Sequence, residues 1–198
     1  MPTASFKERL DFYRYTSACL FLSQAKDILL KLKQLTSTDQ DSDLSSKISF
    51  ELNKNILWHA FFTIYSKPFK QTRDAELKMG LRVLDDIVPE DCKHQHQAIL
   101  TLRDKMYAHT DFHQLIDSNG DPMSKLIIIA TENRVSFGQS FVHPIDDQWL
   151  EVIEKIHNKC KYHKTKIWES WKKKIHLPQN SRWALNMDPN DDEILKKY

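Results

Sequence analysis

Between Trp149 and Ile175, the residues Trp149, Val152, Ile153, Ile156, Cys160, Ile167, Trp171 and Ile175 recur at helical spacing. An apolar stripe of this length needs partners that run alongside it, so the chain must supply other long helices. Phe21, Ala25, Ile28, Leu32 and Leu35, spaced 4, 3, 4, 3, supply one of them, an a/d seam on a helix from Phe6 to Leu35. Only 3 glycines occur in 198 residues, which argues against a dinucleotide fold or a loop-rich β-sandwich, since both need glycine for tight turns.

Between these two helices the sequence is punctuated. Residues 36–46, TSTDQDSDLSS, are polar and rich in helix-capping types, and read as a loop. A second helix follows from Ser46 to Ser66, with Ile48, Leu52, Leu57, Ala60, Phe61 and Ile64 as its apolar side, and Pro68 ends it by disfavouring α conformation at Lys67. Residues 73–87 read as a short helix or a loop. Pro89, followed by the acids Glu90 and Asp91, opens a third helix reaching Tyr107. The period then changes. DSNGDP is a turn signal, and LIIIA and VSFGQSFV read as the strands of a hairpin. Pro144, Asp146 and Asp147 open the last helix, and the polar segment after Pro178 reads as an irregular tail. The expected fold is mainly α, an antiparallel bundle with a small β-hairpin inserted at 113–143 before the last long helix. It forms one domain over 1–178, with a polar tail at 179–198.

Composition excludes several classes. A net charge of +2 does not mark the whole chain as a polyanion binder, although local patches still matter. Three well-separated cysteines, Cys19, Cys92 and Cys160, with no CxxC pair, fit a reduced, cytoplasmic protein better than a disulfide framework. No apolar leader follows the start, and no apolar run approaches the ~18 residues of a membrane span, so neither secretion nor membrane insertion is expected. The P-loop, GxGxxG, GxSxG and HExxH signatures are absent.

LRDKMYAHTDF, Leu102 to Phe112, is the segment richest in chemistry. Six residues turn an ideal helix by roughly 240°, so Arg103 and His109 can converge only if the helix stops before the histidine. His96, Arg103 and Tyr107, spaced 7 and 4, do share a face. An Arg–His pair suits phosphoryl chemistry. Histidine exchanges a proton near neutral pH, and the arginine fork matches phosphate oxygens. RNA supplies a 2′-hydroxyl as internal nucleophile, so such a pair needs no metal. The competing reading is a salt bridge or a C-terminal helix cap.

RDKMYAH, Arg103 to His109, resembles the Rx4-6H motif of HEPN domains, and Asp104, directly after the arginine, matches a common form of it. The wider string HQAILTLRDKMYAHTD (96–111) and ILWHAFFTIYSKPF (56–69) resemble the motif region and the preceding helix of abortive-infection HEPN proteins. The resemblance covers residues 10–112 and the last helix, but not the hairpin. It implies a helical-bundle, metal-independent endoribonuclease of phage defence or of a toxin–antitoxin system. Such an enzyme acts as a homodimer, and an antitoxin or partner defence protein controls it. It implies Arg103 and His109 as catalytic residues supported by Asp104, and no cofactor; the cleft beside them is expected to be lined by His96, Tyr107 and Asp111. Asp111 stands where some HEPN toxins carry a modifiable tyrosine, which puts that form of control in doubt here. The resemblance also leaves room for a non-catalytic module that binds a nucleotide, a nucleic acid or a protein.

Two other features have competing readings. Residues 155–174 hold eight lysines and one acid, Glu169. With Tyr162, Trp168 and Trp171, this basic helix, Lys155 and Lys159 included, reads either as an RNA-backbone contact with stacking aromatics or as a solvated face over core tryptophans. Cys92 and His96, at i and i+4, have a spacing that metal ligands use, but no second pair follows, so an ordinary helix face is the stronger reading.

Overall fold

The computed structural model describes residues 3–36, 44–70, 87–108, 124–131, 134–141, 147–175 and 183–197. Among these, four α-helices dominate: α1 (Phe6–Thr36), α2 (Leu44–Ser66), α3 (Lys93–Ala108) and α4 (Asp147–Lys172). Helix α1 packs against α2 and α4, and α3 packs against α2 and α4. The α1–α4 pair is antiparallel. Lys26 meets Glu154 at one end (2.6 Å), and Phe12 meets Trp171 at the other, with ring centroids 4.9 Å apart. No helix among the described residues is long and apolar enough to cross a membrane.

Local chemistry explains the helix ends. Ser5 and Glu8 form a capping box on α1. The Glu8 N–H donates to Ser5 Oγ (3.3 Å), and the Ser5 N–H donates to Glu8 Oε2 (3.1 Å). Helix α2 stops at Ser66, two residues before Pro68, and the N–H groups of Phe69 and Lys70 both donate to the Ser66 carbonyl at 3.0 Å. Pro89 caps a 3-10 turn, Glu90–Cys92, rather than opening an α-helix directly, and α3 begins only at Lys93.

The core lies between α1, α2 and the start of α4. Most of the stripe expected on α4 is buried, namely Trp149, Val152, Ile153, Ile156, Cys160 and Trp171, while Ile167 and Ile175 are half-buried against the second core. On α1 the seam differs from the expectation. Ala18, Leu22, Ala25, Leu29 and Leu32 are buried, while Phe21, Ile28 and Leu35 are only half-buried. The observed seam is rotated by about 60° around the helix. The cause is that α1 must serve two partners at once, and its centre faces the cleft between α2 and α4. Phe21 flanks that cleft, with the Lys67 ammonium 4.9 Å from its ring centroid. On α2, Trp58, Phe61, Phe62 and Tyr65 are buried, whereas Leu52, expected to face inward, is exposed. The inward direction is set by Trp149, which stacks on Phe61 (5.8 Å, 5°) and meets the edges of Trp58 and Phe62 (both 6.0 Å).

The inserted hairpin pairs β1 (Ser124–Thr131) with β2 (Arg134–Phe141), antiparallel, with Thr131 opposite Arg134 and β2 approaching α2. The segment expected to be an irregular tail is structured instead. Strands β3 (Trp183–Leu185) and β4 (Leu195–Lys197) pair, Thr3 bridges to Glu193, and Ile194 joins Ala4 and Trp171 in a second small core. Composition hid this, because the polar residues 186–193 turn the chain with their own side chains. Asn186 Oδ1, Asp188 Oδ1 and Asp191 Oδ1 accept from the N–H groups of Asp188, Asn190 and Glu193.

Arg9 locks this unit. It is fully buried, with Nη1 donating to the Ala4 carbonyl (2.6 Å) and Nη2 donating to the carbonyls of Asp188 (2.7 Å) and Asp191. Removing a buried charged donor from three carbonyls costs far more than losing a surface arginine. Arg9→Met is therefore expected to lower the unfolding free energy by about 3 kcal/mol in urea titration. It is also expected to speed hydrogen exchange in 183–197. Unchanged exchange there would refute the locking role.

Candidate functional site

The site builds on the face that α3 turns toward α2. Cys92, His96 and Ile99, spaced 4 and 3, are buried. Arg103, four residues on, continues that stripe and reaches the surface with 31% of its side chain exposed. His96 therefore lies in the α2–α3 interface and not on an open cleft wall. Its Nδ1 is 2.8 Å from Tyr65 Oη, and its ring meets the edge of Phe69 at 4.4 Å. Burial raises the tyrosine's affinity for its proton well above the ordinary value, and nearby Cys92 adds to the effect, so Tyr65 stays neutral and can donate to the imidazole. Burial pushes the Cys92 thiol up as well, with Asp91 adding to the shift, which makes the thiol a poor metal ligand or nucleophile. Among the described residues, no group of three or more His, Cys, Asp or Glu could hold a metal ion.

Where the stripe surfaces, three charges meet. Arg103 Nη1 is 2.9 Å from Asp104 Oδ1, and Lys70 Nζ bonds the same oxygen from the turn that follows α2. Partial burial raises the Asp104 carboxyl, but the hydrogen bonds from Lys70 and Arg103 outweigh it and hold the group below the usual carboxylate range. Among the described residues two cations share this one carboxylate, and the Arg103 side chain beside it stays partly exposed, a fork whose geometry matches phosphate oxygens.

Lys70 is the site residue that sequence reasoning missed. Its only signal was position, a lysine two residues beyond the proline that ends α2. The hydrogen bond of Tyr65 to His96 shows in no spacing, because the partners lie on different helices.

The other expected residues distribute as follows. Tyr107 lies in α3, and His109 and Asp111 lie outside the described residues. Lys155 is not brought to Arg103. It bonds Asp91 and Glu151, both at 2.6 Å, at the opposite end of α3, and these acids raise its affinity for a proton. Twelve helical residues, about 18 Å, separate Asp91 from Arg103. Helices α3 and α4 run antiparallel, with Gln95 bonding Gln148 at 2.7 Å, so Lys159 lies a further turn away from Arg103.

The Asp104 tie has a definite pH signature. Its folded value is depressed, so its contribution is complete above the unfolded value of about 3.9 and is lost as pH falls through the lower folded value. A carboxyl-carbon NMR titration is expected to place the Asp104 midpoint below about 3.9, and both Lys70→Met and Arg103→Met should move it upward. A midpoint indifferent to Lys70 would show that the tie does not form. Comparison of the chain with protein-family models, with curated proteins and with solved structures gives no match.

Proposed function

We propose that this chain is a metal-independent endoribonuclease of HEPN type, cleaving RNA in phage defence or in a toxin–antitoxin system. One observation carries the reading. Arg103 surfaces at the end of a buried stripe, with its guanidinium held by Asp104 and Lys70 beside it. Arg103 binds the scissile phosphate and offsets the charge that grows on its oxygens. Asp104 positions Arg103. His109 moves the proton, as base for the 2′-hydroxyl or as acid for the departing 5′-oxygen. Attack of the 2′-oxygen on phosphorus breaks the bond to the 5′-oxygen and leaves a 2′,3′-cyclic phosphate. One Arg and one His make a sparse site, so a homodimer that faces two copies of the motif into one cleft completes the reading, with an antitoxin or partner defence protein restraining it.

A second reading has its own support. Asp104 already satisfies both cations, which would suit a tie that joins the α2 turn to α3 in a non-catalytic HEPN-like module binding a nucleotide, a nucleic acid or a protein.

RNA cleavage in the presence of EDTA separates the two. The nuclease reading expects wild-type activity that falls by at least about 100-fold in both Arg103→Ala and His109→Ala, with cyclic-phosphate ends. Equal activity in all three proteins sinks the mechanism, and loss on chelation points to a metal instead. A wild type without cleavage favours the binding module.

A further inference from the structure

The flank of α4 turned away from α3 carries a second arrangement that the motif does not use. Glu154, Asn158, Lys161, Thr165 and Trp168 are spaced 4, 3, 4, 3 and form one line along α4. Phe12, Thr16, Cys19, Ser23 and Lys26 form the matching line on antiparallel α1. Two cavities open between these lines. One, of about 430 Å³, is lined by Ser23, Lys26, Asp27, Glu154, His157 and Asn158 among others. The other, of about 310 Å³, is lined by Phe12, Thr16, Lys164, Thr165 and Trp168. Glu154 at the first cavity and Trp168 at the second lie about 21 Å apart along α4.

Chemistry divides the groove into two parts. At the Trp168 end the rings of Phe12 and Trp168 lie 6.2 Å apart at 29°, with two threonine hydroxyls and a lysine around the opening. Trp171, buried under the C-terminal strands, cannot serve as a stacking surface, whereas Trp168 is half-exposed. Lys164 lines the opening at the Trp168 end, and Lys161 precedes it by about one helical turn on the same flank of α4. Among the described residues neither lysine has a carboxylate partner, in contrast to Lys26, which pairs with Glu154. Burial, followed by Lys161, Lys164 and Lys26, lowers the affinity of His157 for a proton, so the imidazole is a neutral hydrogen-bonding group there at neutral pH.

We infer that the α1–α4 groove binds a nucleotide unit, with an aromatic base against Phe12 and Trp168 and its phosphate at Lys161 and Lys164. Base–aromatic stacking tolerates any base and paired lysines accept any phosphate, so the groove is a sequence-tolerant contact for single-stranded RNA. It lies on a different flank of α4 from the one that meets α3, so it goes beyond the Arg103 site and does not depend on cleavage there.

The test uses 2′-O-methyl octauridylate, which lacks the internal nucleophile, with binding read by fluorescence anisotropy of the labelled strand. The full chain is expected to bind it, and Lys161→Glu with Lys164→Glu to weaken binding about tenfold or more, with a shallower salt dependence. Trp168→Ala is expected to weaken it about tenfold. The lysine pair keeps the test decisive should loss of the half-buried tryptophan disturb folding, which circular dichroism reports. Competition with uridine monophosphate tells a strand from a free nucleotide. Displacement at similar concentrations assigns the groove to a free nucleotide, and binding of the oligomer alone assigns it to a strand. Wild-type affinity in both variants, or no binding of either probe by the wild type, overturns the inference. A chain that binds and does not cleave overturns the nuclease reading alone, and a chain that cleaves with unaltered binding in both variants overturns the groove alone.

Discussion

The antiparallel contact of α1 with α4 is the constraint on which the rest of the structure depends. Helix α4 buries its stripe from Trp149 to Cys160 in the main core and Trp171 in the second. Helix α1 runs beside it for nearly the whole of that length. Each end of the pair then recruits something different. At the start of α4, Trp149 inserts among Trp58, Phe61 and Phe62 and so fixes α2. At its far end, Trp171 lies against Phe12 and beneath Ile194, and so fixes the C-terminal strands. Large aromatic side chains at both ends turn a two-helix contact into a frame for the remaining elements.

That frame accounts for the division between buried and exposed polar groups. Arg9 is tolerated in the interior because three main-chain carbonyls converge on it, two of them from a loop whose turns are made by its own Asn and Asp side chains. His96 is tolerated because Tyr65, held neutral by burial, meets it across the α2–α3 interface. Arg103 lies on the same α3 stripe but two turns further along, where the α2 turn ends and solvent reaches the guanidinium. One helix face thus changes from packing surface to candidate site as its partner runs out, and Lys70 stands at that transition.

Much of the architecture was legible before any coordinates. The α4 stripe, the stop at Pro68 and the hairpin strands all follow from local spacing and backbone chemistry, and local effects survive folding. Three features were not legible. The α1 seam was displaced because Phe21, Ile28 and Leu35 repeat as regularly as the true seam, and periodicity does not tell a flank from a centre when two partners share a helix. Leu52 was assigned inward because an apolar side chain by itself does not say where its partner stands. The C-terminal segment looked irregular because its order comes from Arg9, nearly the whole chain length away.

The sequence by itself determined which segments are helical and where α2 stops, because those properties are set within a few residues by hydrogen bonding and steric limits of the backbone. Only the tertiary structure decided which residues meet. It took His96 into the interior beside Tyr65, spent Lys155 on Asp91 and Glu151, brought Lys70 to Asp104, and lined Phe12 up with Trp168 across a groove. Each of these contacts joins residues on different elements, and their relative placement depends on how the large side chains of the core fill space together.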